Sequence, residues 1–270
     1  MTAGSAAALS ASRPLGLGAR WSSSIVYTAV SVAIFLVVWE ILIRYLDVPL
    51  WLVPKPSDFL ARLFTDYAYI AGHAWVTSTT IALGFALGVI IAVPLGLAVV
   101  SVRTLERGFY PVVVFLNIMP KTVIGPILIV WFGIGPLVSV IIVFLMCFFP
   151  VLVDSMSGFR SVDPRLYYIT RSMGASDFQT LRYVRLPASM TQIFAGMKIG
   201  IVKAVEGAII AEFIVSSEGL GYMIMRATSF MDMTLVFSGL IATALVALLF
   251  NGFVLSAERL LMPWAANTGA

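Results

Sequence analysis

Lys203 and Glu206 stand three residues apart in an apolar run, close enough on a helix to share one face. Glu212 follows on the same run, and Lys121 sits beside Pro120 in another. An ionisable group in hydrocarbon costs about 3 kcal/mol or more unless it is paired or wet, so each one marks a candidate functional position. Two kinds of chemistry fit. One is a structural salt bridge between Lys203 and Glu206. The other is a water-filled translocation path that admits an anion, with Lys121 and Lys203 as its cations and Glu206 and Glu212 beside them. Neither forms covalent bonds. His73 is the sole histidine and has no sequence partners for a metal or nucleophilic site, and the lone Cys147 lies in an apolar run. No G-x-x-x-x-G-K-[ST] motif is present, so this chain does not itself cradle a nucleotide.

The elements that must position these groups are set by composition. Of 270 residues, 60% are hydrophobic and 11% charged, with a mean hydropathy of +1.02. Soluble domains carry about 25% charged residues, so lipid is the expected solvent. The net charge of +4 is spread along the chain. That suits loops facing anionic lipid rather than nucleic acid, which needs a dense basic patch.

Residues 1–23 are rich in Ala, Ser and Gly and are expected to form a disordered tail. The apolar run that follows is longer than a signal-peptide core and is expected to be a retained first helix. Six segments are long and apolar enough to span a bilayer as helices, at about 20 residues each: 24–46, 74–100, 109–132, 137–158, 193–215 and 234–257. The chain is therefore expected to be an all-α membrane protein, with one domain over 24–263 and a short tail at 264–270. Between the first two spans, Ser57 and Asp58 can cap a short amphipathic helix with Phe59, Leu60, Leu63 and Phe64 on its apolar side.

Orientation follows from the Lys and Arg of the loops. With the N-terminus inside, the inner segments hold Arg13, Arg20, Arg103, Arg107, Arg160, Arg165, Arg171, Arg182, Arg185 and Arg259. The outer ones hold Lys55, Arg62 and Arg226, ten against three. Both termini and the loop at 159–192 are expected in the cytoplasm. Lys198 and Asp154 then lie near the inner interface, and Glu40 with Arg44 forms a local pair at the outer end of the first span.

Two spans carry a small residue at every fourth position: Gly84, Gly88, Ala92 and Gly96, and Gly196, Gly200, Ala204 and Ala208. Such stripes let helices approach closely in lipid. They fit either packing inside one subunit or an interface between copies. The third span holds Pro111, Pro120, Gly125 and Pro126. Proline removes a backbone donor, so a kink lining a cavity or buried in protein is expected there.

The polar loop has its own plan. Asp163 is a suitable N-cap, Pro164 suits the first helical position, and Gly174 can supply a left-handed stop. Ser176 and Gln179 then make a capping box for a second helix ending before Pro187.

The segment GASDFQTLRYVRLP (174–187) resembles the signature loop of permease subunits of bacterial ABC importers, whose pattern is E-A-A-x3-G-x9-I-x-L-P. Gly174 stands at the glycine, followed by Ala175; Val184 stands at the isoleucine, and Leu186 and Pro187 at the final pair. IMPKTVIGPILIVWFGIG (118–135), FFPVLVDSMSGFRSVDP (148–164) and AEFIVSSEGLGYMI (211–224) resemble the sulfonate, nitrate and taurine branch, and Glu212 falls on a glutamate of that last motif. The resemblance covers roughly residues 70–260. It implies a type I ABC importer permease fold of six transmembrane helices in the bacterial inner membrane. It also implies a homodimeric pathway for a small anion such as a sulfonate, taurine, nitrate or an aromatic carboxylate, though thiamine-pyrimidine or flavin precursors belong to the same branch. No cofactor is expected on this chain. ATP and magnesium belong to a dimer of partner ATPases docked at the loop, and an extracytoplasmic binding protein delivers the solute. The E-A-A triplet falls on Tyr168, Ile169 and Thr170, so the loop lacks the family's acidic residue. An exposed ion pair is worth about 0–1 kcal/mol, so docking is still expected, to a dedicated ATPase whose groove has altered charge or takes more apolar contact from Tyr168. From another class, a self-contained ion-coupled transporter would use Lys203 and Glu206 as a charge relay.

Overall fold

The computed structural model describes residues 17–264, and all regular structure among them is helical. Residues 1–16 and 265–270, which the expected tails include, lie outside the described residues. Residues 17–23, also expected in the tail, instead form the first two turns of α1 (Leu17–Tyr45). α2 (Pro56–Thr65), α3 (Tyr67–Ser101), α4 (Arg103–Ile118), α5 (Gly125–Phe132) and α6 (Pro136–Arg160) follow. Next come α7 (Pro164–Ser172), α8 (Asp177–Thr180), α9 (Leu186–Val215), α10 (Leu220–Ser229) and α11 (Met233–Leu261). Four of the described helices, α1 from Val26, α3, α6 and α11, are both long and apolar enough to cross a membrane. α9 has the length, at 30 residues, but carries Lys198, Lys203, Glu206 and Glu212. The third expected span is the segmented one.

α6 is the spine of the molecule, packed between α3 and α9. The small-residue stripes make this possible, and they face α6 within the same subunit. A Cβ at Gly84 would fall 2.5 Å from a Val143 methyl, and one at Gly88 2.5 Å from the Cys147 sulfur. On the other side, a Cβ at Gly200 would fall 2.7 Å from Val151. Backbones meet where side chains are missing, and dispersion contact holds them together. Cys147 is fully buried in this seam, 3.6 Å from the Gly84 carbonyl oxygen.

The third expected span is broken rather than kinked. α4 stops at Ile118, a 3₁₀ turn covers Lys121–Ile124, and α5 starts afresh at Gly125. Pro120 cannot donate to the α4 ladder, and Pro126, exposed, begins the next helix where its missing N–H leaves no bond unmade.

α2 is capped from a distance. Ser57 does not serve as its N-cap; its N–H and hydroxyl donate to the Glu40 carboxylate of α1 at 3.1 and 2.9 Å. Glu40 also pairs with Arg44 at 2.6 Å. Of the expected apolar side, Phe59 is buried and Leu63 packs on the core, whereas Leu60 and Phe64 face outward. Trp39, Phe59 and Phe237 form a ring cluster joining α1, α2 and α11. Lys198, expected at an interface, pairs across the fold with Glu258 of α11 at 2.6 Å.

Candidate functional site

The break in the third span opens a cavity of about 630 Å³ against α6 and α9. Asn117, Pro120 and Lys121 contribute one wall, Met146, Pro150, Val153 and Asp154 a second, and Ile199, Lys203, Glu206 and Ile210 a third. The Lys121 ammonium donates to the Asn117 carbonyl oxygen, approaches Asn117 Oδ1 at 3.5 Å, and stands 5.3 Å from the centre of the Phe149 ring. Lys203 Nζ lies 2.7 Å from Glu206 Oε2, both half exposed. The sequence expectation for Lys121, Pro120, Lys203 and Glu206 thus becomes one set of residues around one space.

Pro126 and Glu212 are not brought there. Glu212 lies six residues beyond Glu206, about 120° away around the helix, and faces the opposite side of α9. It is 1% exposed. Its Oε2 accepts from the Gly221 N–H at 2.7 Å and the Thr77 hydroxyl at 3.0 Å. Thr77 Oγ1 in turn accepts the Leu220 N–H at 2.8 Å, and His73 Nδ1 accepts that of Gly219 at 3.0 Å. α10, which sequence reading leaves in a loop, therefore has its N-terminal donors capped from α3 and α9. Gly219 has φ +105, and a Cβ there would collide with the Glu212 carboxyl. Asn117 is a cavity residue that sequence reading missed, and Asp154, expected near the inner interface, also lines the cavity. Asp154 stands four residues after Pro150 on α6, a spacing that puts neighbours on one face, whereas Asn117 and Lys121 lie on either side of the break.

The polar loop is built largely as its residues dictate. Asp163 Oδ1 accepts the Arg165 N–H at 2.8 Å and caps α7. Gly174 adopts φ +75, the Ala175 N–H reaches the Thr170 carbonyl, and the Gly174 N–H reaches that of Arg171, both at 3.0 Å. That is the paired bonding of a Schellman stop. Ser176 and Gln179 exchange both bonds of the capping box. Thr180 Oγ1 to Thr170 Oγ1, 3.2 Å, ties the two helices together. Arg185 anchors the segment to the bundle, donating to Ser101 Oγ at 3.1 Å and standing near the Phe159 and Tyr167 rings.

The second helix of this loop does not end before Pro187. α8 runs into a π-turn at Leu181–Arg185 and then directly into α9, which carries Pro187 in its first turn. The wider turn makes room for the proline ring, which would otherwise strike the carbonyl one turn back. Tyr168, Ile169 and Met173 are left exposed, at 76, 54 and 79%. Val184 and Pro187 are partly buried and Leu186 is at the edge of exposure. Among the described residues no group of three or more His, Cys, Asp or Glu side chains could hold a metal ion.

The fold is a helical bundle with a charged, segmented span beside a cavity and a folded polar segment at one end. The family described as binding-protein-dependent transport system inner membrane component matches residues 84–266, and the chain belongs to it. The aliphatic sulfonates transport permease protein SsuC of Bacillus subtilis is 30% identical, with 90% of this chain and 88% of that one covered. The taurine transport system permease protein TauC of Escherichia coli is 29% identical over 91% and 92%. The riboflavin transport system permease protein RibX of Chloroflexus aurantiacus is 31% identical over 88% and 90%. In fold, the chain is similar to one in the inward-facing MetNI methionine ABC transporter, with a TM-score of 0.58 and 17% identity over 70% of this chain and 96% of that one. An amino acid ABC transporter structure gives 0.57, also at 17% identity, over 76% and 97%. This chain is the transmembrane subunit of an ABC importer; it carries solute across the inner membrane, and ATP hydrolysis belongs to a partner ATPase.

Proposed function

We propose that two copies of this chain, in one domain each, form the pathway for a small anionic solute, with sulfonates, taurine, nitrate and aromatic carboxylates the leading candidates. The observation that carries this reading is Lys121. It stands at the break of a span, faces the cavity, and has no carboxylate partner among the described residues. An unpaired ammonium facing the cavity attracts an anion and repels a cation.

The segment from Asp163 to Pro187 is the docking surface for a dimer of ATPases, which bind the ATP and magnesium. Its exposed Tyr168, Ile169 and Met173 supply apolar contact where an acidic residue would otherwise sit. Both termini are cytoplasmic on this reading, the opposite end receives an extracytoplasmic binding protein, and lipid covers the exposed faces of α1 and α11. Sulfonate and taurine transport among the relatives supports the choice of solute.

Proteoliposomes test the proposal. With the ATPase and binding protein present, uptake of labelled alkanesulfonate should require ATP. Uptake by the chain alone under an ion gradient would refute it and favour a Lys203–Glu206 charge relay.

A further inference from the structure

Among the described residues four charged side chains line the cavity, and two of them satisfy each other. Lys203 and Glu206 are paired at 2.7 Å. Lys121 has neutral partners only, the two oxygens of Asn117 and the Phe149 ring. Asp154 makes no hydrogen bond or ion pair among the described residues. Its side chain rests on Gly196 of α9, where a Cβ would fall 2.7 Å from the Asp154 Cβ and 3.2 Å from its Oδ2.

Position argues that Asp154 is aimed into the cavity. Met146, Pro150, Val153 and Asp154 recur at i, i+4, i+7 and i+8, one face of α6, and all four line the space. An unpaired carboxylate within a membrane-spanning helix is costly unless water or solute meets its charge or it takes up a proton. A simple anion would satisfy Lys121 but would meet repulsion from Asp154 on the neighbouring wall. A solute carrying both charges would satisfy both residues by charge-assisted hydrogen bonds.

We propose that the cavity selects organic anions that also bear an ammonium group, with Lys121 holding the sulfonate, carboxylate or phosphonate end and Asp154 the cationic end. The inference rests on the reading of this cavity as the solute pathway. Within it, Asp154 is a specificity residue that discriminates amino-substituted anions from plain ones.

Equilibrium binding of radiolabelled taurine, ethanesulfonate and ethylammonium to the permease–ATPase complex in nanodiscs tests it, since the three probes share one carbon spacer. Taurine should bind at least about tenfold more tightly than either singly charged analogue, a difference of about 1.4 kcal/mol. Asp154→Asn should reduce taurine to the level of ethanesulfonate without weakening ethanesulfonate, and Asp154→Glu should restore part of the preference. Lys121→Gln should weaken taurine and ethanesulfonate alike and spare ethylammonium. Equal binding of taurine and ethanesulfonate, absence of saturable binding by all three, or an unchanged ratio in Asp154→Asn would each overturn the proposal. Retention of the ATPase and its hydrolysis rate in the same preparations report on the importer reading separately.

Discussion

Glu212 Oε2 of α9 accepts the backbone N–H of Gly221 at 2.7 Å, so the first turn of α10 is closed by a carboxylate from another helix. The sequence places Glu212 on the same apolar run as Lys203 and Glu206, but its work is to hold a connection in place. Thr77 and His73 complete the arrangement from α3. Glu212→Ala should leave the Gly221 N–H without its buried acceptor, costing about 1–3 kcal/mol, while the Thr77 hydroxyl keeps the His73 carbonyl oxygen at 3.2 Å. Glu212→Gln keeps a carbonyl acceptor and should lose less. Thermal unfolding in detergent, followed by the fluorescence of a thiol probe on buried Cys147, would order the variants wild type, Gln, Ala. Equal stability of Ala and wild type would contradict the assignment.

Gly174 predicts a separation of backbone strain from crowding. Among the described residues nothing lies within 4 Å of a Cβ placed there, yet its φ is +75. Gly174→Asn should therefore be tolerated, whereas Gly174→Val should cost about 1–2 kcal/mol of left-handed strain and distort the stop between α7 and α8. The measurement is ATP hydrolysed per solute imported. Val should raise that ratio severalfold with membrane insertion intact, and Asn should leave it near the wild-type value.

Gly88 in the seam between α3 and α6 and Gly108 in α4 make a matched pair of glycines. At Gly88 a Cβ would press on the Cys147 sulfur at 2.5 Å, while at Gly108 it would meet nothing within 4 Å among the described residues. Gly88→Ala should destabilise by about 1–3 kcal/mol through overpacking. Gly108→Ala, in a helix interior, should be neutral or gain about 0.5–1 kcal/mol. Adding Cys147→Ala to Gly88→Ala should recover part of the loss, a non-additivity that a double-mutant cycle would detect.

The Lys203–Glu206 pair, half exposed on both sides, should contribute little to stability. Replacing both with Gln should change the unfolding free energy by less than about 1 kcal/mol. Lys121→Gln should leave stability similarly unmoved while lowering ATP-driven uptake of an alkanesulfonate at least about tenfold, since it removes the cavity cation that, among the described residues, lacks a charged partner. Normal uptake in that variant would remove Lys121 from the pathway.

What the residues announce, and what they conceal, follows from how local the physics is. Asp163, Gly174, Ser176 and Gln179 fix their own turns through bonds spanning two to five residues, so the shape of the polar loop could be read along the chain. The small-residue stripes likewise foretold close helix approach, but a stripe says nothing of its partner, and only the fold shows both facing α6. Long-range matters stayed hidden. The capping of α2 by Glu40 and of α10 by Glu212 joins residues 17 and 9 positions apart. The same holds for Asp154, whose place in the cavity depends on α6 lying beside a span broken at Pro120. The end of the second loop helix was misjudged because Pro187 reads as a stop, while a π-turn lets the helix run through it.

That run-through has a consequence for how the chain can vary. From Asp177 to Val215 the backbone is helical without interruption, so the polar segment and the cavity-facing Lys203 share a single rotational phase. Deleting one residue between Leu186 and Lys203 would turn one against the other by about 100°, whereas removing seven would nearly restore their alignment. Length in this stretch is thus quantised, unlike length in a loop, and mutational tolerance there should follow the helical repeat.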